Sequence, residues 1–261
     1  MSDVMELTKI EKQHVRDTIE KGERVDGRDF MQTREIDVKT GVAKNAEGSA
    51  RVEIGGTKVI VGVKIDVGEP FPDTPDEGML MVNAELGPMA SPDFESGPPG
   101  EDATELARVV DRGIRESETI DFNELCIEEG EKAWKVMVDI HTLDDDGNLM
   151  DASALGAIKA LKEASLPGYE DGEVLRDEEN ELDVKKTPIA CTVANINDQL
   201  IVDPNLKEEE VAETSITVTW MEDGLCSLQK RGSGGFSMER IEDILEIAEE
   251  KTSEMREIIG E

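Results

Sequence analysis

From Thr57 to Val67 every second residue is β-branched and apolar: Val59, Val61, Val63, Ile65, Val67. A period of two sustained this long does not suit a helix; it demands an extended strand with one face buried. Ala50–Ile54 reads as its antiparallel neighbour. The intervening Gly55-Gly56 is a two-residue hairpin signal, both turn positions being expected at positive φ. Trp134, Val136, Val138 and Ile140 repeat the alternation further on, up to the turn residues Asp146-Gly147. The core must therefore be built on long strands. With only five Phe, two Trp and one Tyr, it rests on Val, Ile, Leu, Met and Ala.

Helical spacing appears around these strands. Leu7, Ile10, Val15 and Ile19 predict a helix over 5–21, closed by Gly22. Residues 102–118 predict a second, and the Ala-rich stretch 152–165 a third, with Asp151 as N-cap. A fourth spans 238–258, with Ser237 as its cap. Further strands are expected at Ile36–Val38, Met79–Leu86, 188–196, 199–203, 214–222 and 225–230. Residues 87–101 hold four prolines and three glycines and read as a surface loop. Residues 167–187 are densely acidic without apolar periodicity and read as an exposed connection. Each half thus runs strands first, then helix, and the class is α+β. The 261 residues suit one large domain or two smaller ones.

Lys and Arg number 28 against 62 Asp and Glu, a net charge of −34. Such a surface repels nucleic acid as a whole, so any contact with it must come from a local basic cluster. Cys126, Cys191 and Cys226 are widely spaced and form neither a zinc motif nor a disulfide framework. The opening MSDVMELTKIEKQ carries no apolar signal core, and no run is long enough to span a membrane. The expectation is a soluble, cytoplasmic protein.

One helix stands out. In Glu105–Ser117, Arg108, Arg112 and Arg115 fall within about 60° of one another, opposite Leu106, Val109, Val110 and Ile114. Three guanidiniums on one face match the fork geometry of phosphate oxygens. The same face also offers Glu105 to Arg108, Asp111 to Arg115 and Glu116 to Arg112, a self-paired and solvated surface. Spacing alone leaves both readings open.

The remaining candidates lead nowhere on their own. His14 and His141 have no nucleophile beside them. Asp144-Asp145-Asp146-Gly147-Asn148 fails as a calcium loop, because the closing acid would fall on Ser153. Gly232-Ser233-Gly234-Gly235-Phe236 lacks the ending of a phosphate loop. No metal site and no cofactor are expected.

The order of several segments resembles the RNase PH family and, within it, the non-catalytic ring subunits of archaeal exosomes. These segments are Arg24-Val-Asp-Gly-Arg28, Gly48-Ser-Ala50, Gly56-Thr-Lys-Val59, Gly97-Pro-Pro-Gly100 leading to Glu105–Arg112, Leu143–Asn148 with Asp151-Ala-Ser153, and Val202-Asp-Pro204 with Glu208-Glu-Glu210. The resemblance implies an RNase PH-like fold, its first half like ribosomal protein S5 domain 2, with two β-α halves packed as one unit. It divides the chain into an N-terminal helix and arm (1–30), a first domain (31–166), the acidic connection (167–187) and a second domain (188–261).

The resemblance further implies a ring in which a catalytic RNase PH-type partner degrades single-stranded RNA from its 3′ end. Inorganic phosphate is the attacking group, and RNA-binding cap proteins sit on the ring. Active members hold phosphate with Asp-Gly-Gly-Thr-Arg before the Ala-rich helix. Here the slot reads Asp146-Gly147-Asn148-Leu149-Met150, with an apolar pair where hydroxyl and guanidinium are needed. Of two expected carboxylates, Asp203 remains, while the second position falls in Val211-Ala212-Glu213-Thr214. The expectation is a subunit with no catalytic residues, whose Arg108, Arg112 and Arg115 contact RNA. Two alternatives stand against it: an active phosphorolytic homo-oligomer, and an acidic interaction module with no nucleic-acid role.

Overall fold

The computed structural model describes residues 7–260. The valine alternation forms β3 (Thr57–Gly68), with Val59, Val61, Val63 and Ile65 wholly shielded. It lies between β2 (Gly48–Ile54) and β6 (Lys132–Asp144), antiparallel to both. β1 (Ile36–Thr40) continues the sheet beyond β2, and β4 (Met79–Glu85) pairs parallel with β6 on the opposite edge. The short β5 (Cys126–Glu128) also pairs with β6. In the β2–β3 hairpin Ile54 pairs with Thr57 as expected. Only Gly55 takes positive φ, at 57°. Gly56 serves a different need: a Cβ there would stand 2.8 Å from the Asp146 carboxylate.

Helix α2 (Glu101–Glu116) packs along β4. Beside it, α3 (Leu149–Glu163) crosses β2 and β3, burying Leu155, Ile158 and Leu161. Each of these side chains contributes about 1.5–3 kcal/mol. The approach is close, since a Cβ on Gly156 would sit 2.7 Å from a Val61 methyl. The start of α3 corrects the sequence expectation. Asn148, in the left-handed region at φ 58°, is the N-cap, and Asp151 is the third residue of the helix, with its carboxylate facing the second half of the chain.

Residues 167–187 also differ from expectation. β7 (Ser165–Glu170) and β8 (Glu173–Glu181) form a hairpin whose turn, Asp171-Gly172, has both residues at positive φ. Leu166, Tyr169 and Val174 pack on the first core, and Tyr169 meets Trp134 edge-on with ring centroids 6.2 Å apart. A register break between Leu166 and Gly168 destroys the two-residue period that would have revealed the strand.

The second half is a four-stranded sheet ordered β10 (Gln199–Val202), β9 (Ile189–Ile196), β11 (Thr214–Met221), β12 (Gly224–Gly232). Its faces differ chemically. Cys191, Val193, Ile216 and Val218 pack with Ile244 and Ala248 of the terminal helix Met238–Ile259, which Ser237 caps. Thr192, Thr217 and Thr219 project from the other face, towards α2 and α3. A short turn of helix, α4 (Leu206–Glu209), follows β10, and the terminal helix is α5.

The first helix, α1 (Lys9–Glu20), opens with a capping box between Thr8 and Glu11. The expected residues Met5 and Glu6 lie outside the described part of the chain. Val15 and Ile19 pack against Ile196, Ile201 and Val211, so the N-terminal arm belongs to the second half. No helix among the described residues is long and apolar enough to cross a membrane.

Candidate functional site

Helix α2 carries the predicted arginines where periodicity put them. Leu106, Val109, Val110 and Ile114 are buried, while Arg108, Arg112 and Arg115 are exposed on the other side. Glu101 and Asp102 in the first turn and Arg115 in the last match the helix dipole. The three arginines nevertheless differ in their ties. Arg115 donates to Asp111 at 2.8 Å and to the Leu80 carbonyl at 2.8 Å, and its guanidinium lies 5.4 Å from the centre of the Phe122 ring. Among the described residues Arg112 reaches only Gln229, at 3.4 Å. Among the described residues Arg108 has no hydrogen bond or ion pair. Glu105, which could have neutralised Arg108, turns to Gln229 (2.9 Å) and Arg231 (3.6 Å) on β12. The self-paired surface is thus realised at Arg115 alone.

A second group of charges lies between the halves. Asp203 follows β10 at φ 49° and is 2% exposed. Its carboxylate accepts from the backbone N–H of Arg34 (2.8 Å), from Arg34 Nε (2.9 Å) and Nη2 (2.7 Å), and from Arg28 Nη1 (3.0 Å). Burial alone would raise its pKa, but the hydrogen bonds and charge of Arg34 outweigh it and hold Asp203 below the usual carboxylate range. The Asn148 amide donates 2.8 Å bonds both to Asp203 and to Asp151, bridging two carboxylates. Asp151 also accepts from the Thr192 N–H at 2.9 Å and hydroxyl at 2.7 Å. Without a cation beside it, burial pushes Asp151 up to about 7.

Behind this network Arg24 and Glu208 form a bidentate pair at 2.9 and 2.6 Å, both side chains wholly shielded. Arg24 donates further to the carbonyls of Val202 and Asp203. Asn205 caps α4 by accepting from the Glu208 N–H, and its own N–H donates to the Glu208 carboxylate in return. The Arg24–Arg28 segment is therefore a clamp on the β10–α4 loop. The sequence marks Arg24–Arg28 and Glu208–Glu210 as segments of the family resemblance but gives neither their pairing nor Arg34. The Asn205-x-x-Glu208 capping spacing was the one local sign that Glu208 is structural.

The phosphate slot expected at Leu149-Met150 opens on a cavity of about 480 Å³ between α3 and the second sheet. Leu149 and Met150, half-buried, form part of its wall, with Thr192, Asp145, Glu209 and Arg231 also lining it. A helix N-terminus ordinarily offers N–H groups to an anion. Here the Asn148 N–H is already bonded to Glu209 at 2.9 Å. Burial, reinforced by the charge of Asp145, pushes Glu209 up to about 7 despite that hydrogen bond. Asp145 is likewise raised, chiefly by burial. Arg231 pairs with Asp102 and lies 3.6 Å from Glu105.

The two halves of this arrangement correspond to the two domains of one family. Residues 32–167 match domain 1, and residues 186–251 domain 2, of the 3′ exoribonuclease family RNase PH, and the chain belongs to that family. Within it, the chain is similar to proteins named exosome complex component Rrp42. It is 48% identical to that of Methanopyrus kandleri over 258 residues (97% of each chain) and 50% identical to that of Methanocella arvoryzae over 252 residues (96% of each). Among solved structures, a chain of the Archaeoglobus fulgidus exosome with RNA bound to the active site matches with a TM-score of 0.89 at 45% identity, covering 95% of this chain and 97% of that one. A chain of an archaeal exosome core matches with a TM-score of 0.85 at 42% identity, covering 97% of each. The α+β fold and the family read from the segment order are both borne out.

Proposed function

We propose that this chain is a catalytically silent exosome subunit that presents RNA to an active RNase PH-type partner. The observation that carries this reading is the acidic and apolar surround of the start of α3. Where orthophosphate would need donors, the Asn148 N–H is bonded to Glu209 and the neighbouring side chains are Leu149 and Met150. Asp145 and Glu209 bring like charge to the same lining, and the cation there, Arg231, is already paired with Asp102, so a phosphate dianion is disfavoured. Asp203, the carboxylate retained from the active pattern, is saturated by Arg28, Arg34 and Asn148.

Arg108 and Arg112 are the RNA contacts in this account, gripping phosphates without reading sequence. Arg115 adds charge to the same face while tied to Asp111 and Leu80. The partners are a catalytic RNase PH-type subunit in an alternating ring, RNA-binding cap proteins and single-stranded RNA, in the cytoplasm. The test is phosphorolysis by the ring assembled from both subunits. Arg108→Glu with Arg112→Glu should lower turnover roughly tenfold or more while leaving assembly intact. Unchanged turnover and RNA binding would remove these arginines from the path of the RNA.

A further inference from the structure

The cavity beside α3 is not merely unsuited to an anion; its lining suits the opposite charge. Asp145 and Glu209 each accept one backbone N–H, from Gly147 at 3.0 Å and Asn148 at 2.9 Å respectively. Among the described residues neither has an ion pair. Both are partly shielded from water; the charge of Asp145 adds to the burden on Glu209, and those of Asp146 and Asp144 to the burden on Asp145. Arg34 acts on both and Arg231 on Glu209, but only from beyond ion-pair distance, and burial still prevails. Two such half-buried carboxylates are unfavourable unless a proton or a closer counter-ion joins them.

The wall next to them is apolar: Leu149 and Met150 from α3, with Leu206 and Leu86. At the rim the chain already seats a cation of its own, for the Arg231 guanidinium rests on Asp102 and near Glu105. The same lining thus holds a cation on an aliphatic stem at one end and, beside Leu149 and Met150, two carboxylates that no ion pair satisfies among the described residues. The volume of about 480 Å³ falls in the range of small-molecule sites.

We propose that this cavity binds a small alkylammonium compound, its ammonium group between Asp145 and Glu209 and its methylene chain along Leu149 and Met150. The ammonium would complete the charge balance at the start of α3, and the stem would displace water from apolar side chains. The proposal rests on the reading of this cavity as unable to hold orthophosphate, and the test separates the two.

Full-length chain carrying 13C-methyl methionine is titrated with n-pentylammonium chloride at constant ionic strength, and in parallel with potassium phosphate. The Met150 methyl resonance should shift and saturate with the amine, while the exposed Met81 and Met238 (42% and 71% exposed) stay in place. Asp145→Asn with Glu209→Gln should weaken that binding roughly tenfold or more, and Asp145→Asn alone by a smaller factor. Shifts that never saturate, or that move Met81 and Met238 equally, would mean diffuse attraction to a surface of net charge −34 and would overturn the proposal. Equal affinity in the double variant would do the same. If Met150 instead saturates with phosphate, the silent-site reading fails as well; if neither ligand moves it, only the amine site is lost.

Discussion

The chain uses two sets of three arginines in opposite ways. Arg24, Arg28 and Arg34 are sunk between the halves with side chains 0–11% exposed, their guanidiniums spent on Glu208, Asp203 and backbone carbonyls. Arg108, Arg112 and Arg115 stand on an exposed helix face, and the first two have almost no claims on them. What separates the sets is the surrounding chain, not the side chain. A buried guanidinium without its carboxylate is an uncompensated charge, so the first set is structural by necessity. An exposed one is solvated at little cost and stays available to an external phosphate.

The sharpest way to break this contrast is Arg24→Met. It leaves Glu208 buried without its partner and should lower stability by about 3–5 kcal/mol in urea denaturation, much of which Arg24→Met with Glu208→Leu should restore. A loss no larger than that of a surface substitution would place the pair outside the clamp.

Acidity gives the next effect. Asp151 and Glu209, raised to about 7 from 3.8 and 4.5, bind protons more tightly folded than unfolded. They therefore stabilise the fold as pH falls from about 7 towards the unfolded values, a gain that saturates below those values. Asp203 has the opposite sign: its contribution is present above the unfolded value and lost as pH falls through its depressed folded one. The urea midpoint of the wild type should rise from pH 8 to pH 6. The rise should shrink in Asp151→Asn with Glu209→Gln, and an identical rise would contradict the assignment.

Smaller effects belong to the exposed set. Arg115→Ala removes the contacts to Asp111, Leu80 and Phe122 and should cost about 1 kcal/mol. Arg108→Ala with Arg112→Ala should change stability by no more than about 0.5 kcal/mol. A large loss there would show that these two arginines also hold the fold together.

Much of the fold was legible because periodicity and burial agree, as in β3, β6 and the exposed face of α2. The Asp151 cap was misread because Asn148 can adopt the left-handed region and begin the helix three residues earlier, which carries Leu149 and Met150 into the first turn. The β7–β8 hairpin was missed because acidic residues interrupt Tyr169, Val174 and Leu182, and a register break hides the period. The exposed arginines of the candidate site could be read from one helix. The buried ones could not, since Arg24 meets Glu208 across 184 residues and no local spacing announces such a pair. The capture of Asp203 by Arg34, 169 residues away, is of the same kind.

A subunit that only presents RNA has no phosphorolytic chemistry of its own. The most direct measurement is release of nucleoside diphosphates from a 3′-labelled single-stranded RNA by the purified chain in excess orthophosphate. The prediction is no release above the no-protein background for the chain alone, with release appearing when a catalytic RNase PH-type partner is added. Phosphate-dependent release by the chain alone, abolished by Asp203→Asn, would contradict it.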